Sequence, residues 1–319
     1  MFKTFAVVEP GFGPDNKPLP GGDGECFVEN HQTFEEILRL LCTSTTNKKD
    51  VNVAKQMRIT KMVEKGISVP RDCTTLNAAV SLVHDSYKNY KNYIDGDGKP
   101  RYFDTIVLER GVHQIKGDYL RIPYAMNIMG DTGETKEEGE TKEEVETKEE
   151  GVTKEEIVVV GGIQFEYGIQ GNCHLQHLTL RGAMENGVRG LSSFTMDNVL
   201  VDQCVNNGVV AIGAVVGRCT NVEVRQCGGS GVVASDGASI TLSDAKTSVH
   251  NNCTEGRWDS FGLKVYGSTD STIQLVSPLT KEGVSLDNDG GGDWGASGGA
   301  DLVRGFEENS DQYITIISP

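Results

Sequence analysis

The sequence predicts an all-β solenoid, a right-handed parallel β-helix with an N-terminal α-helical cap. A phrase recurs along the chain: Leu178-Thr-Leu180-Arg181-x-Ala183 with Gly187-Val188, Val199-Leu-Val201-Asp202-x-Cys204 with Gly208-Val209, Val222-Glu-Val224-Arg225-x-Cys227 with Gly231-Val232, and a looser Thr247-Ser-Val249-His250. Its copies lie 21, 23 and 25 residues apart, the period of a stacked repeat in which each copy is one coil. Alternation within each phrase, with β-branched residues at the apolar positions, marks a short strand buried on one face. No long helical run separates the copies, which removes solenoids built on a helix per repeat.

Three short strands per coil are expected. The glycine after each phrase turns a corner, the following Val starts a second strand, and apolar pairs such as Phe194/Met196 and Val215/Val216 supply a third. Stacking places equivalent side chains about 4.8 Å apart in successive coils, so residue types form columns. Cys204 and Cys227 share such a column with Ala183. Parallel Cβ vectors at that spacing are slightly too far apart for a disulfide, and the pair reads as buried free thiols.

The chain divides into an N-terminal arm and helical segment (1–73), the β-helix (74–290) and a Gly-rich tail with a final strand (291–319). Pro10, Pro14, Pro18 and Pro20 make residues 1–32 an irregular arm. Thr33 to Glu36 forms a capping box for a helix with Phe34, Ile37, Leu38 and Leu41 on one face, and a second helix runs from Asp50 to Lys65 and stops at Gly66. The capping helix spans 75–90, with Leu76, Ala79, Val80, Val83 and Tyr87 as its apolar stripe, placed to plug the open end of the solenoid. Asp95-Gly-Asp97-Gly is a turn before Pro100. Residues 133–156 are an insert of four acidic hexads of the Gly-Glu-Thr-Lys-Glu-Glu type, expected to be a flexible loop or fraying helix because it has no apolar face. An acidic bait for cations or a basic partner is its functional alternative. Gln312 to Ile317 is a strand that adds to the last coil or pairs with another molecule, leaving the oligomeric state open.

Composition restricts function. With 39 glycines and 7 % aromatics, the chain suits many tight corners. Its net charge of −16 excludes nucleic acid and anionic membrane surfaces as partners, since both are bound through Lys and Arg. The first residues lack a secretory apolar run and cleavage site, and no segment reaches a membrane span, so a cytoplasmic or nuclear address with reduced cysteines is expected. None of the eight cysteines forms a C-x-x-C pair, which removes the usual zinc signature.

A family resemblance rests on the Leu76-Asn-Ala-Ala-Val80 helix followed by Asp104-Thr-Ile-Val-Leu108, Gly111-Val-His-Gln-Ile115 and Met126-Asn-Ile-Met-Gly-Asp131. Over about residues 74–290 this resembles the opening and body of pectin-lyase-like right-handed β-helix proteins, in which the helix caps the first coil. The repeat phrases are also similar to the β-helix region of F-box-only-type proteins, substrate-recognition components of ubiquitin ligases. That second likeness implies an adaptor, whose discriminating sign is a three-helix F-box within residues 33–90. The first implies a polysaccharide lyase or C5-epimerase on uronate polymers. The paired-Asp and Gly-His-Gly phrases of β-helix polygalacturonases do not occur here.

Candidate chemistry lies on one outward column. Arg181, Asp202, Arg225 and His250 follow the second apolar position in successive coils. Alternating charge at the strand spacing makes a self-satisfying salt-bridge ladder. The catalytic alternative is a groove in which Arg181 and Arg225 hold uronate carboxylates while His250 or Asp202 moves a proton. Asp287, Asp289 and Asp293 stand at positions one, three and seven of a Gly-rich loop, a partial calcium pattern that ends at Gly298 where a bidentate Glu is needed. No other cofactor is indicated. His84 reads as a packed histidine beside the helix stripe. Trp258 and Trp294 are either aromatic ligand contacts or covers for the C-terminal end of the core. Loops around 184–186, 205–207 and 254–261 differentiate the surface. The leading expectation is a non-catalytic recognition scaffold for a protein or carbohydrate ligand.

Overall fold

The computed structural model describes residues 60–89, 102–133, 152–267, 270–297 and 314–317, all within the unit 47–319. The expected arm, the helix at Thr33, the start of the second helix and the Asp95 turn lie outside the described residues. So do 134–151 of the acidic insert.

The described fold is a parallel β solenoid. Its nineteen strands each pair in parallel with the strand a coil before or after. The pairings form three ladders. Sheet 1 stacks β1 (Ile67–Val69), β2 (Thr105–Leu108), β4 (Asn127–Gly130), the first parts of β6 (Cys173–Arg181) and β8 (Phe194–Asp202), β10 (Val216–Thr220), β13 (Ser239–Ser243), β16 (Thr272–Val276) and β19 (Ile314–Ile317). Sheet 2 stacks the first parts of β3 (Gly111–Ile122) and β5 (Ile157–Phe165), the second parts of β6 and β8, then β11 (Glu223–Arg225), β14 (Ser248–His250) and β17 (Ser285–Leu286). Sheet 3 stacks the second parts of β3 and β5, then β7 (Val188–Gly190), β9 (Val209–Ile212), β12 (Val232–Ser235), β15 (Leu263–Tyr266) and β18 (Trp294–Ser297). Leu180, Val201, Val224 and Val249 are direct register partners, so the sequence period is the coil. Strands continue past residue 290, and β19 adds to the last coil as the sequence allowed.

Several strands outrun the expected length because one corner needs only one residue. His177, Asn198 and Asn221 take left-handed φ of 53°, 52° and 51° between sheets 1 and 2, so β6 and β8 bend there and serve both sheets. Short polar side chains tolerate that conformation and bond locally. Here they bond along the column: Asn221 Nδ2 donates to Asn198 Oδ1 at 3.1 Å, Asn198 Nδ2 to His177 Nδ1 at 2.7 Å, and His177 Nε2 to the Val152 carbonyl at 2.7 Å.

The corner glycines differ from expectation. The left-handed corner after sheet 2 falls on Gly182, Gln203, Gln226, Asn251 and Asp287, one per coil. Gly187, Gly208 and Gly231 are required for closeness instead: a Cβ on each would strike a valine Cγ1, of Val201, Val224 and Val249 in turn. The third-strand pair also shifts in one coil. Gly217 and Cys219, not Val215 and Val216, register with Phe194 and Met196, and Gly217 leaves room for the Phe194 ring. Phe194 stacks on Phe165 at 5.6 Å in the middle of a core of Val, Leu and Ile columns.

The first coil is different because a helix replaces two of its strands. Residues 60–65 are helical and stop at Gly66, φ +85°, as expected. After β1, α1 (Leu76–Lys88) begins where Thr75 Oγ1 accepts the Ala78 amide. It buries Leu76, Ala79, Val80, Leu82 and Val83 and packs against β1 and β3. Tyr87, expected in that stripe, is 44 % exposed and stacks on Tyr124 at 4.2 Å, while His84 meets Tyr124 edge-on at 5.1 Å. Burial and the Lys88 charge lower the His84 pKa.

The C-terminal root of the insert, expected as part of a flexible loop or fraying helix over 133–156, is held in place at residues 152–156. Val152 N donates to the Thr132 carbonyl, Thr153 N to Glu156 Oε2, and Thr179 Oγ1 to the Lys154 carbonyl. A 3₁₀ turn, Lys154–Glu156, thereby lies against β6 and β8. Among the described residues, no helix is long and apolar enough to cross a membrane.

Cys73, Cys173, Cys204, Cys219, Cys227 and Cys253 are all buried, and no disulfide joins Cys173, Cys204, Cys219, Cys227 or Cys253 among the described residues. Burial raises the Cys173 thiol to about 11 and Cys219 to about 12, and Cys253 also reaches about 12. Cys227 is raised by its contact with Cys204 and by burial. Thiolate is the reactive form, so Cys173, Cys219, Cys227 and Cys253 are expected to resist aromatic-disulfide labelling in the native protein and to react once guanidinium unfolds it. Rapid native labelling of any of them, located by peptide mass, contradicts the packing.

Candidate functional site

Sheet 2 brings the predicted column together. Arg181, Asp202, Arg225 and His250 are successive register partners. Asp202 lies between two guanidiniums: Arg181 Nε donates to its Oδ2 at 3.0 Å and Arg225 Nε to its Oδ1 at 3.1 Å. Its side chain is only 3 % exposed, against 39 % and 33 % for the arginines. Arg225 Nη1 also donates to Glu223 Oε1 at 2.9 Å, the oxygen that His250 Nε2 approaches at 3.3 Å. Burial draws the Arg225 pKa down, but the Asp202 hydrogen bond and Glu223 charge outweigh it and hold it above the ordinary value. The charges are therefore spent on one another, and Asn251 Nδ2 occupies the remaining His250 nitrogen at 2.9 Å.

The neighbouring outward column is covered. Thr179 and Leu200 face away from the core yet are fully buried, and the 3₁₀ turn at the insert root contacts both of their strands. One surface groove follows that turn, lined by Thr132, Val152, Lys154, Glu155, His177 and Asn198, and another runs beside Gly66, Asp104, Thr105 and Asp131. Neither is lined by a member of the Arg/Asp/His column.

The three tail aspartates do separate tasks. Asp287 is the left-handed corner residue, φ 53°. Asp293 Oδ1 accepts from the Asn288 amide at 3.0 Å, and the Asp289 amide donates to the Asn252 carbonyl. Among the described residues, no three His, Cys, Asp or Glu side chains are grouped to hold a metal ion.

The two tryptophans part company. Trp294 registers with core-facing Leu263 at the end of sheet 3, with Lys281 Nζ 5.4 Å from its ring centre. Trp258 is 76 % exposed on the loop 254–261. The smaller loops stack coil on coil instead of diverging: Val205 N donates to the Ala183 carbonyl, and Asn207 Nδ2 to Asn186 Oδ1 at 3.0 Å.

Around Trp258 stands a cluster that the sequence reading missed. Arg257 donates to both Asp259 oxygens, Nε at 3.2 Å and Nη2 at 3.3 Å. Lys264, on the outward face of β15 and 13 % exposed, reaches back with Nζ to the Asp259 carbonyl and lies 5.5 Å from the Tyr266 ring centre. The Arg257 hydrogen bond holds Asp259 below the usual carboxylate range, and burial lowers Lys264 despite Asp259. The available signal was spacing: Val209 pairs with Val232, but Val232 pairs with Leu263, a longer step that has to hold an excursion.

No family model matches the chain, and no curated protein or solved structure matches it.

Proposed function

We propose that the chain is a right-handed parallel β-helix, its first coil closed by α1, that serves as a non-catalytic recognition scaffold for a protein or glycan. Its hand follows from the rule that a crossover between parallel strands of one sheet is right-handed in almost every case. The observation that carries the functional reading is Asp202, whose two oxygens are each taken by an arginine one coil away. A proton-transfer group needs an accessible, unengaged atom near the substrate, and Asp202 offers none. Among the described residues, Lys264 is a basic group that a lyase reading would recruit, since burial lowers its pKa. Its ammonium is turned to the Asp259 carbonyl at 2.5 Å, which suits a brace better than a base. Cys173, Cys204, Cys219, Cys227 and Cys253, buried with no disulfide among the described residues, suit a reducing compartment, cytoplasm or nucleus. The adaptor reading needs a three-helix F-box within residues 33–90, of which 33–59 and 90 lie outside the described residues.

Incubation with alginate, polygalacturonate and glycosaminoglycans, with and without calcium, tests this reading. Expected are no unsaturated-uronate absorbance, no C5 inversion by NMR and no shortening of the polymer. Turnover that Arg225→Ala abolishes overturns the scaffold reading and places a catalytic site on sheet 2.

A further inference from the structure

Three exposed apolar side chains lie along one edge of the solenoid, where sheet 2 turns into sheet 3. Met184 is 69 % exposed, Val205 one coil on is 45 % exposed, and Trp258 stands two coils beyond that at 76 %. The coils are stacked through the backbone at this edge: Val205 N donates to the Ala183 carbonyl, Gly228 N to Cys204 and Thr254 N to Cys227. At about 4.8 Å per coil, Met184 and the Trp258 loop are about 15 Å apart, the scale of a short peptide rather than of one small molecule. Gly228 lies between them and is glycine because a Cβ would strike the Val205 carbonyl. Glu255 Cγ lies 3.3 Å from the point where that Cβ would stand.

The tryptophan is held outward by construction. Arg257 and Asp259 flank it and bond in a two-pronged pair, Lys264 ties the Asp259 carbonyl to β15, and the Gly290–Gly291 turn packs beneath, where a Cβ would strike the Arg257 and Trp258 carbonyls. Exposing an indole on a braced loop forgoes its burial, and a braced aromatic loses little freedom on binding. Trp and Arg are the residues that dominate protein interfaces. The exposed charges beside this edge are mostly acidic: Glu185, Glu255, Asp287 and Asp289 against Arg257.

Resting on the scaffold reading, we propose that the edge formed by Met184, Val205 and the Trp258 loop is a docking surface for a basic segment of a partner protein, with Trp258 as its apolar anchor. Charge complementarity selects a Lys/Arg-bearing partner and turns away uronate or phosphate polymers. Met184 and Val205 carry the apolar surface beyond one ring, which favours side chains over a sugar face.

A random twelve-residue phage-displayed peptide library selected on the full chain, with Trp258→Ala as counter-target, tests this. Expected are peptides combining Lys or Arg with an aromatic or aliphatic residue, bound about thirtyfold more weakly by Trp258→Ala and more weakly as salt rises. Lys264→Met, which keeps the indole and removes its brace, is expected to weaken the same peptides by a smaller factor, while both variants keep the parent unfolding midpoint. Failure to select peptides, or peptides indifferent to Trp258→Ala, overturns the proposal. So does Trp258-dependent binding confined to a neutral-glycan array. None of these outcomes touches the scaffold reading, which falls only if the uronate assay finds turnover.

Discussion

Gly208→Ala is expected to destabilise the protein by about 3 kcal/mol, the upper part of the range for overpacking a filled interior. The new Cβ would strike Val224 Cγ1 and stand 2.7 Å from the Gly231 carbonyl oxygen, and that carbonyl accepts the Val209 amide in the adjoining coil. A flexible side chain could move aside, but a ladder carbonyl cannot without loosening the next coil. Gly182→Ala is the matched control. Gly182 has φ +63° with open space around it, and the equivalent corners carry Gln203, Gln226 and Asn251 at the same φ, so a cost of about 1 kcal/mol is expected there. Urea unfolding followed by far-UV circular dichroism separates the two. Equal losses at both positions contradict the assignment of Gly208 to close approach.

Asp202→Ala is expected to cost about 3 kcal/mol, the low end for removing one partner of a buried ion pair, because both arginines are about a third exposed and water screens them in part. The loss has a definite source. Arg181 and Arg225 each lose a hydrogen-bonded counter-ion, and Arg225 keeps only Glu223. Replacing all three, as Arg181→Met, Asp202→Leu and Arg225→Met, is expected to restore most of the stability, since an apolar column needs no partner. If the triple variant is no better than Asp202→Ala in a thermal melt, the ladder is held by something other than its own charges.

Much of this was legible in the sequence, for a physical reason. A solenoid repeats its contacts at fixed register, so Leu180, Val201, Val224 and Val249 announce the coil, and alternating sign at Arg181, Asp202 and Arg225 announces the ladder. What stayed hidden depends on contacts between segments with no fixed spacing. Leu200 reads as an exposed outward residue until the insert root is laid against its strand. Gln203 and Gln226 give no sign of a left-handed corner, because it is neighbouring strand pairing that imposes it. Gly208 looked like the corner and is the close approach. Lys264 reads as one more surface lysine until the preceding loop folds back and places the Asp259 carbonyl on its ammonium.

A double-mutant cycle between Asp202→Ala and Arg225→Ala in urea unfolding decides whether the ladder is one structural unit. A coupling of at least about 1 kcal/mol is expected, in the range for groups that share a hydrogen-bonded ion pair. Additive losses would contradict it and return both residues to the list of groups available for chemistry.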